Sequence, residues 1–211
     1  MRPRRRGAAA AGEAAAAGGA RGSDGGRWAA ATGGGAVVML GGLAGDAGRE
    51  REAGAFGARA QAAVGPLKKE LMGALQGAMG QGVEAALAVC NVEAPGIAAR
   101  VSAAAGLDVG RVSHKPRNPG NALAAWMAPA MAHFEGSTAA APAAPVVMAA
   151  PTGGLVYFEP IYTGGLCLSC HGEAIAPGVQ AKLAVLYPDD RATGFRAGEL
   201  RGLFRVSSAV E

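Results

Sequence analysis

Large side chains are scarce in this chain of 211 residues. Aromatic residues make up 5% of it and glycines number 35, although half of all residues are hydrophobic. Much of that hydrophobic share is alanine, so the heavy core-forming side chains are thinly spread along the sequence. The length suffices for one ordinary domain preceded by a leader, and we expect its core to be small, with backbones in close approach.

A basic surface of the kind that binds nucleic acid is also lacking. The net charge is +4, but residues 1–27 alone carry six arginines against two acidic residues. The other 184 residues hold 14 basic and 14 acidic groups and are therefore neutral as a whole. Because no run of lysine and arginine interleaved with aromatics occurs, we expect no nucleic-acid partner.

No apolar run is long enough to be a convincing membrane span. The charge-free stretch 28–45 is short and glycine-rich, follows a basic start, and leads through small residues to charges at 49–52. This order is typical of a signal peptide, and the alternative is a disordered Ala/Gly tail. We predict a targeting leader over residues 1–47, export to the bacterial periplasm or, alternatively, the thylakoid lumen, and no membrane span in the mature protein.

Hydrophobic periodicity predicts mixed secondary structure after a flexible lead-in over residues 48–64. Helices are predicted at 66–90, 95–105, 122–134 and 177–187, and strands at 107–112, 146–149, 155–161 and 200–206. The stretch 136–145 has the composition of a linker. Helices ahead of a small antiparallel sheet predict an α+β domain over residues 65–207.

Cysteine and histidine are rare, yet they cluster. The chain has three of each, and Cys167, Cys170 and His171 lie within five residues. Cys-x-x-Cys-His is the attachment motif of c-type haem, in which each thiol forms a thioether with one vinyl group and the histidine ligates the iron. We therefore predict one covalent haem c, attached through Cys167 and Cys170, with His171 as the proximal iron ligand.

Three other interpretations of the cluster exist. A structural zinc site could use Cys90 as the fourth ligand of a Cys₃His set, although the adjacent Cys170 and His171 would be strained in a tetrahedral arrangement. A redox-active dithiol would be expected at the start of a helix in a βαβ unit, which the surrounding pattern does not predict. A structural disulfide would suit an exported protein.

The sixth position of the iron has several candidates by sequence, namely Met79, Met127, Met131, His114, His133 and Cys90. Methionine is the common partner in small electron carriers, but a methionine on an apolar helix face is more often plain core. Cys90 lies at the end of an apolar stripe that begins at Leu67. Its alternative role is that of an inert buried thiol.

Four stretches together resemble a known family: CNVEAPGIA (90–98), GRVSHKPRNPGNA (110–122), YFEPIYTGGLCLSCHG (157–172) and YPDDRATGFRAGELRGLF (187–204). The sequence resembles the single-haem c-type proteins of cyanobacteria, algae and proteobacteria, which occur alone or as sensory parts of signalling proteins. The resemblance covers about residues 65–207. It implies a PAS-like fold and a His/Cys axial pair, with His171 as the proximal ligand and Cys90 as the distal ligand.

The expected role follows from that ligand pair. A thiolate donates electron density and favours ferric iron, so the reduction potential should be low. We expect a redox or small-gas sensor that acts through a separate, unidentified partner, because no signalling module follows residue 207. The alternative is a small soluble electron-transfer protein. No acid/base constellation adjoins the cluster, so we do not expect an enzyme.

Overall fold

The protein is described here from a computed structural model, which describes residues 37–39 and 47–208. The helices are α1 (Ala47–Met79), α2 (Val83–Ala88), α3 (Ala94–Ala105), α4 (Ala128–Phe134), α5 (Leu168–His171) and α6 (Pro177–Leu186). The strands are β1 (Val37–Met39), β2 (Leu107–Val112), β3 (Val146–Ala149), β4 (Leu155–Tyr162) and β5 (Leu200–Ser208). A π-helical turn, Val89–Glu93, joins α2 to α3. The rest of the predicted leader and its cleavage region lie outside the described residues.

The strands form one sheet in the order β1-β3-β4-β5-β2. β3, β4, β5 and β2 pair antiparallel, while β1 pairs parallel with β3. β3 and β4 form the predicted hairpin, and β5 returns between β4 and β2. The predicted α+β class, with N-terminal helices packed on a small antiparallel sheet, is therefore confirmed.

The main hydrophobic cluster, called the sheet core below, lies between helices α1 and α3 and the sheet. It includes the fully buried Leu67 of α1, Tyr157 of β4 and Val206 of β5. A second cluster contains residues of β3, β4 and β5 together with α4, among them the fully buried Phe134. The core needs few large side chains, because small buried residues such as Ala53 and Ala60 let α1 pack closely.

The prediction of a flexible lead-in over residues 48–64 is wrong, because α1 already begins at Ala47. Buried Ala53, Phe56, Ala60 and Val64 recur at three- and four-residue spacing and extend the apolar face of Leu67 toward the N-terminus. Small residues make this face inconspicuous in the sequence, but they bury completely against the sheet.

The predicted helix over 66–90 is not continuous. α1 ends at Met79, and Gly82, with φ of 115°, turns the chain into α2. A positive φ of this kind favours glycine over any residue with a Cβ atom. The helix predicted over 122–134 is also shorter, because α4 begins with Pro129 in its first turn, where its missing N–H costs nothing.

The remaining predicted elements are confirmed to within two residues at either end: α3, α6, β2, β3, β4 and β5. The linker-like stretch 136–145 forms no helix or strand, but the hydroxyl of Tyr162 accepts from the Ala143 N–H and donates to the Ser137 hydroxyl. In the part of the chain that the structure describes, no helix has the length and apolar character to cross a bilayer.

Candidate functional site

A cavity of about 600 Å³ lies between α1, the π-helical turn, strands β4 and β5, and α5. Its wall is largely apolar, with side chains that include Leu71, Leu75, Met79, Val89, Ile161 and Phe204. Cys90, Cys167, Cys170 and His171 all line this cavity. The structure therefore brings together the four residues that the sequence singled out, although they come from segments more than 75 residues apart.

The segment with the two thiols is compact and local. A 3₁₀ turn, Gly165–Cys167, continues directly into α5, so the helical backbone places Cys167 and Cys170 three residues apart on one face. The Gly172 N–H closes the turn onto the Leu168 carbonyl at 3.0 Å. A Cβ atom at Gly172 would lie 2.6 Å from that carbonyl oxygen, so glycine is required by the close approach of the backbone.

His171 is held as a neutral imidazole with a defined tautomer. Its Nδ1 lies 2.6 Å from the Ala192 carbonyl, to which only a protonated nitrogen can donate. Nε2 then carries the lone pair and accepts from the Nη1 of Arg201 at 2.7 Å. Burial lowers the pKa of His171 to about 2, with the cations of Arg201 and Arg117 adding to the effect. A neutral imidazole with one N–H fixed by a carbonyl is the form that binds metal ions.

Cys90 lies in the π-helical turn and not on a regular helix. The turn covers Val89–Glu93, and the chain enters and leaves it with α-helical backbone angles. Such turns are rare and frequently occur at functional sites. Cys90 is half-buried and lines the cavity, whereas Val89 before it is buried and Asn91 after it is exposed.

A buried ion pair fastens residues 164–172, called the thiol segment below, to the neighbouring loop. Arg117 and Asp190 lie 3.0 Å apart, with side chains 9% and 11% exposed. Arg117 also donates to the carbonyl of Cys170, and Asp190 accepts from the Ala192 N–H. Because Ala192 provides the carbonyl that fixes His171, the ion pair positions both the attachment helix and the imidazole.

Two further arginines line the cavity, Arg111 of β2 and Arg201 of β5. Burial lowers the pKa of each. Neither forms an ion pair with any residue that the structure describes, and Arg201 Nε is buried without a partner. Sequence reasoning missed Arg111, Arg117, Asp190 and Arg201, although all four fall within the stretches 110–122 and 187–204 that carry the family resemblance.

The other candidates for an axial ligand are mostly elsewhere. Met127 and Met131 are buried in the second hydrophobic cluster. His133 contacts the Ala144 carbonyl, and the ring of His114 packs on Phe195. Of the six candidates, Cys90 and Met79 line the cavity.

Two of the alternatives for the cluster, the disulfide and the zinc site, find no matching geometry in the described residues. All three cysteines are free thiols. Among residues 47–208 no three His, Cys, Asp or Glu side chains lie close enough to hold a metal ion between them. The four residues thus surround a space wider than a single ion.

The described residues thus form an α+β domain with an apolar cavity whose wall holds two thiols and a neutral imidazole. The chain belongs to the Tll0287-like family, whose sequence model matches residues 50–209. Among solved structures, the crystal structure of the cyanobacterial haem protein Tll0287 is similar at 31% sequence identity. That match covers 55% of this chain and 68% of the other, with a TM-score of 0.44. A comparison with curated proteins finds no match.

Proposed function

We propose that this chain is a c-type haem protein carrying one haem, attached by thioethers to Cys167 and Cys170 and ligated by His171. The observation that carries the proposal is that both cysteines of the motif and His171, a neutral imidazole with its Nδ1 proton engaged, border one apolar cavity. Membership of the family supports it, because the solved protein from which the family takes its name is a haem protein.

The residues around the cavity fit this group. A volume of about 600 Å³ lies within the range of cofactor sites, and the lining is apolar, as a tetrapyrrole ring requires. His171 has its Nδ1 proton engaged by Ala192, which leaves Nε2 for iron. When bound, the group supplies one-electron redox chemistry and a site for small ligands.

Cys90 is proposed as the second axial ligand, from the π-helical turn across the cavity. A thiolate donor stabilises ferric iron, so the reduction potential would be low. A ligand of this kind binds more weakly when the iron loses charge on reduction, which suits a sensor of redox state or of small gases. Such a sensor would act through a partner protein, whereas a protein that keeps both ligands in both redox states would suit electron transfer.

The attachment is tested with Cys167→Ala/Cys170→Ala, expressed in a host competent for cytochrome c maturation. The parent should keep its haem through acid–acetone extraction and a denaturing gel, and the double variant should lose it. Cys90→Ala is the matched control, because it removes a thiol from the same cavity but should leave the attachment intact. A parent protein without covalent haem, or one holding stoichiometric zinc, would overturn the proposal.

The axial role of Cys90 is tested on the haem-loaded protein. Cys90→Ala should raise the reduction potential and allow the ferrous form to bind carbon monoxide readily, because the sixth position is open. Met79→Leu, a change in the same cavity wall, should leave the spectrum unchanged. If instead Cys90→Ala has the parent's ferric spectrum and potential, Cys90 is only a core residue and electron transfer becomes the better assignment.

A further inference from the structure

The arginines around the cavity differ in their partners. Arg117 is paired with Asp190, and on the outer surface Arg205 is paired with Asp108. Arg111 and Arg201, called the arginine pair below, have no carboxylate within ion-pair distance among the described residues. Among the described residues, the side chain of Arg201 makes one hydrogen bond, from Nη1 to Nε2 of His171, and the side chain of Arg111 makes none.

Such an arrangement is unfavourable in the protein by itself. A buried guanidinium without a counter-ion loses hydration that no ion pair restores. Burial lowers the pKa of each member; Cys90 and Tyr187 oppose this for Arg111, and Cys167 and Cys90 oppose it for Arg201. No carboxylate among the described residues balances the two cations at this wall.

The position of the arginine pair indicates what kind of group balances its positive charge. Both side chains also line a polar cleft of about 90 Å³, which shares Cys90, Ile161 and His171 with the large cavity. The large cavity accepts an apolar body, and the adjoining cleft accepts charged ends. An occupant that fits both is mostly apolar and carries acidic groups at one end.

The contact between Arg201 and His171 adds a second reason to expect an acidic occupant. Nε2 accepts from Arg201 with its lone pair, and the same lone pair is the one that would bind iron. Once Nε2 is a ligand, Arg201 loses its only acceptor and must find another. A carboxylate is the acceptor that a guanidinium binds with the best geometry, through two parallel N–H groups.

We infer that Arg111 and Arg201 bind the two propionate carboxylates of the haem, an assignment that rests on the proposed function. Lys115 and Arg117, which line the same cleft, are not assigned this role. Lys115 donates to the Thr193 carbonyl and stacks on Phe195, and Arg117 is neutralised by Asp190. The arginine pair thereby orients the ring, with its acidic edge toward the cleft.

The test compares haemin with haemin dimethyl ester, which has the same ring but no carboxylate charge. Full-length protein made without haem-attachment machinery is titrated with each, and absorbance reports binding. The parent should bind haemin at least about tenfold more tightly than the ester, as expected for charge-assisted hydrogen bonds. In Arg111→Gln/Arg201→Gln this ratio should fall to near unity. Arg205→Gln, a variant of the same strand that breaks a surface ion pair, should keep the parent's ratio.

A ratio in the double variant equal to that of the parent would overturn the inference while leaving haem binding intact. A ratio that collapses only in Cys90→Ala would also overturn it, because the arginine pair would then serve the thiol. Failure of the parent to bind haemin and to acquire covalent haem in a maturation-competent host would overturn the proposed function itself, and the inference with it.

A second measurement uses the haem-loaded protein and does not depend on folding without haem. The measurement is made in a Cys90→Ala background, where no thiolate can take up a proton on reduction. There, propionates paired with guanidinium groups should stay ionised, so the reduction potential should be flat between about pH 5 and 7. With Arg111→Gln/Arg201→Gln added, the propionate pKa values should rise into this range, and the potential should increase as the pH falls. A flat profile in that variant, with haem attached, would contradict the assignment.

Discussion

The sheet core and the thiol segment are held in place by different forces. Leu67, Tyr157 and Val206 of the sheet core are completely or almost completely buried, and apolar contact secures them. In the thiol segment, residues 164–172, the side chains of 167–171 are half-buried, and the segment depends on hydrogen bonds from Arg117 and to the loop at Ala192. Apolar burial fixes the fold without regard to exact angles, whereas hydrogen bonds fix directions. The site is thus oriented by polar contacts on a scaffold built by apolar ones.

The largest effect is expected in the sheet core, from Leu67→Ala. Removing a fully buried leucine side chain should lower the free energy of unfolding by about 3 kcal/mol, measured by urea denaturation. Because the scaffold and not the site is changed, the ferric spectrum and the reduction potential of the folded variant should equal those of the parent.

Val185→Ala is the control for this change, since the Val185 side chain is 81% exposed and its loss should leave stability almost unaltered. A Leu67→Ala protein with normal stability and a shifted potential would contradict the assignment of stability to the sheet core and of orientation to the thiol segment.

A smaller loss of stability with a larger effect on the site is expected from Asp190→Asn. The change leaves the Arg117 guanidinium buried without its anion and should cost about 2 kcal/mol of unfolding free energy. It should also shift the reduction potential and the ferric spectrum, because the Ala192 carbonyl that orients His171 depends on this ion pair.

Asp189→Asn changes the neighbouring exposed carboxylate and should move neither stability nor potential. If Asp190→Asn altered stability alone, the ion pair would be a structural contact with no influence on the imidazole.

The smallest effect is expected from Arg196→Gln, although it also lies next to the thiol segment. Arg196 pairs with Glu173 at 3.0 Å, but the two side chains are 71% and 57% exposed. Water and salt screen a pair of this kind, so stability and potential should be indistinguishable from the parent in 0.15 M salt. A clear shift in potential would show that burial is not what separates effective from ineffective ion pairs around this site.

Local sequence patterns are sufficient to predict much of this structure. β2 could be predicted because Leu107 and Val109 alternate with polar or small residues, and α3 because Pro95 lies in its first turn and Gly106 ends it. β5 was marked by its apolar residues Leu203, Phe204 and Val206. The spacing of Cys167 and Cys170 likewise follows from the sequence alone, since three residues of helical backbone place both thiols on one side.

The rest depends on contacts between distant segments. Arg111 and Arg201 meet only because β2 pairs antiparallel with β5, and Arg117 reaches Asp190 across 73 residues. The N-terminal half of α1 was not predicted because alanine and glycine carry little hydrophobic signal. These small residues nevertheless allow the closest packing once a partner surface exists. The π-helical turn at Cys90 has no sequence signature comparable to a cap or a proline.

That turn makes the number of residues between α2 and α3 a determinant of the site, in addition to residue type. A π-helical turn holds one residue more than an α-helical turn, and each helical residue advances the side-chain direction by about 100°. A one-residue deletion between α2 and α3 would preserve both helices and the cavity, yet it would exchange the side chain facing inward. Among related proteins, a single gap in an alignment at Val89–Glu93 would therefore signal a different side chain at the position that we propose for the second axial ligand.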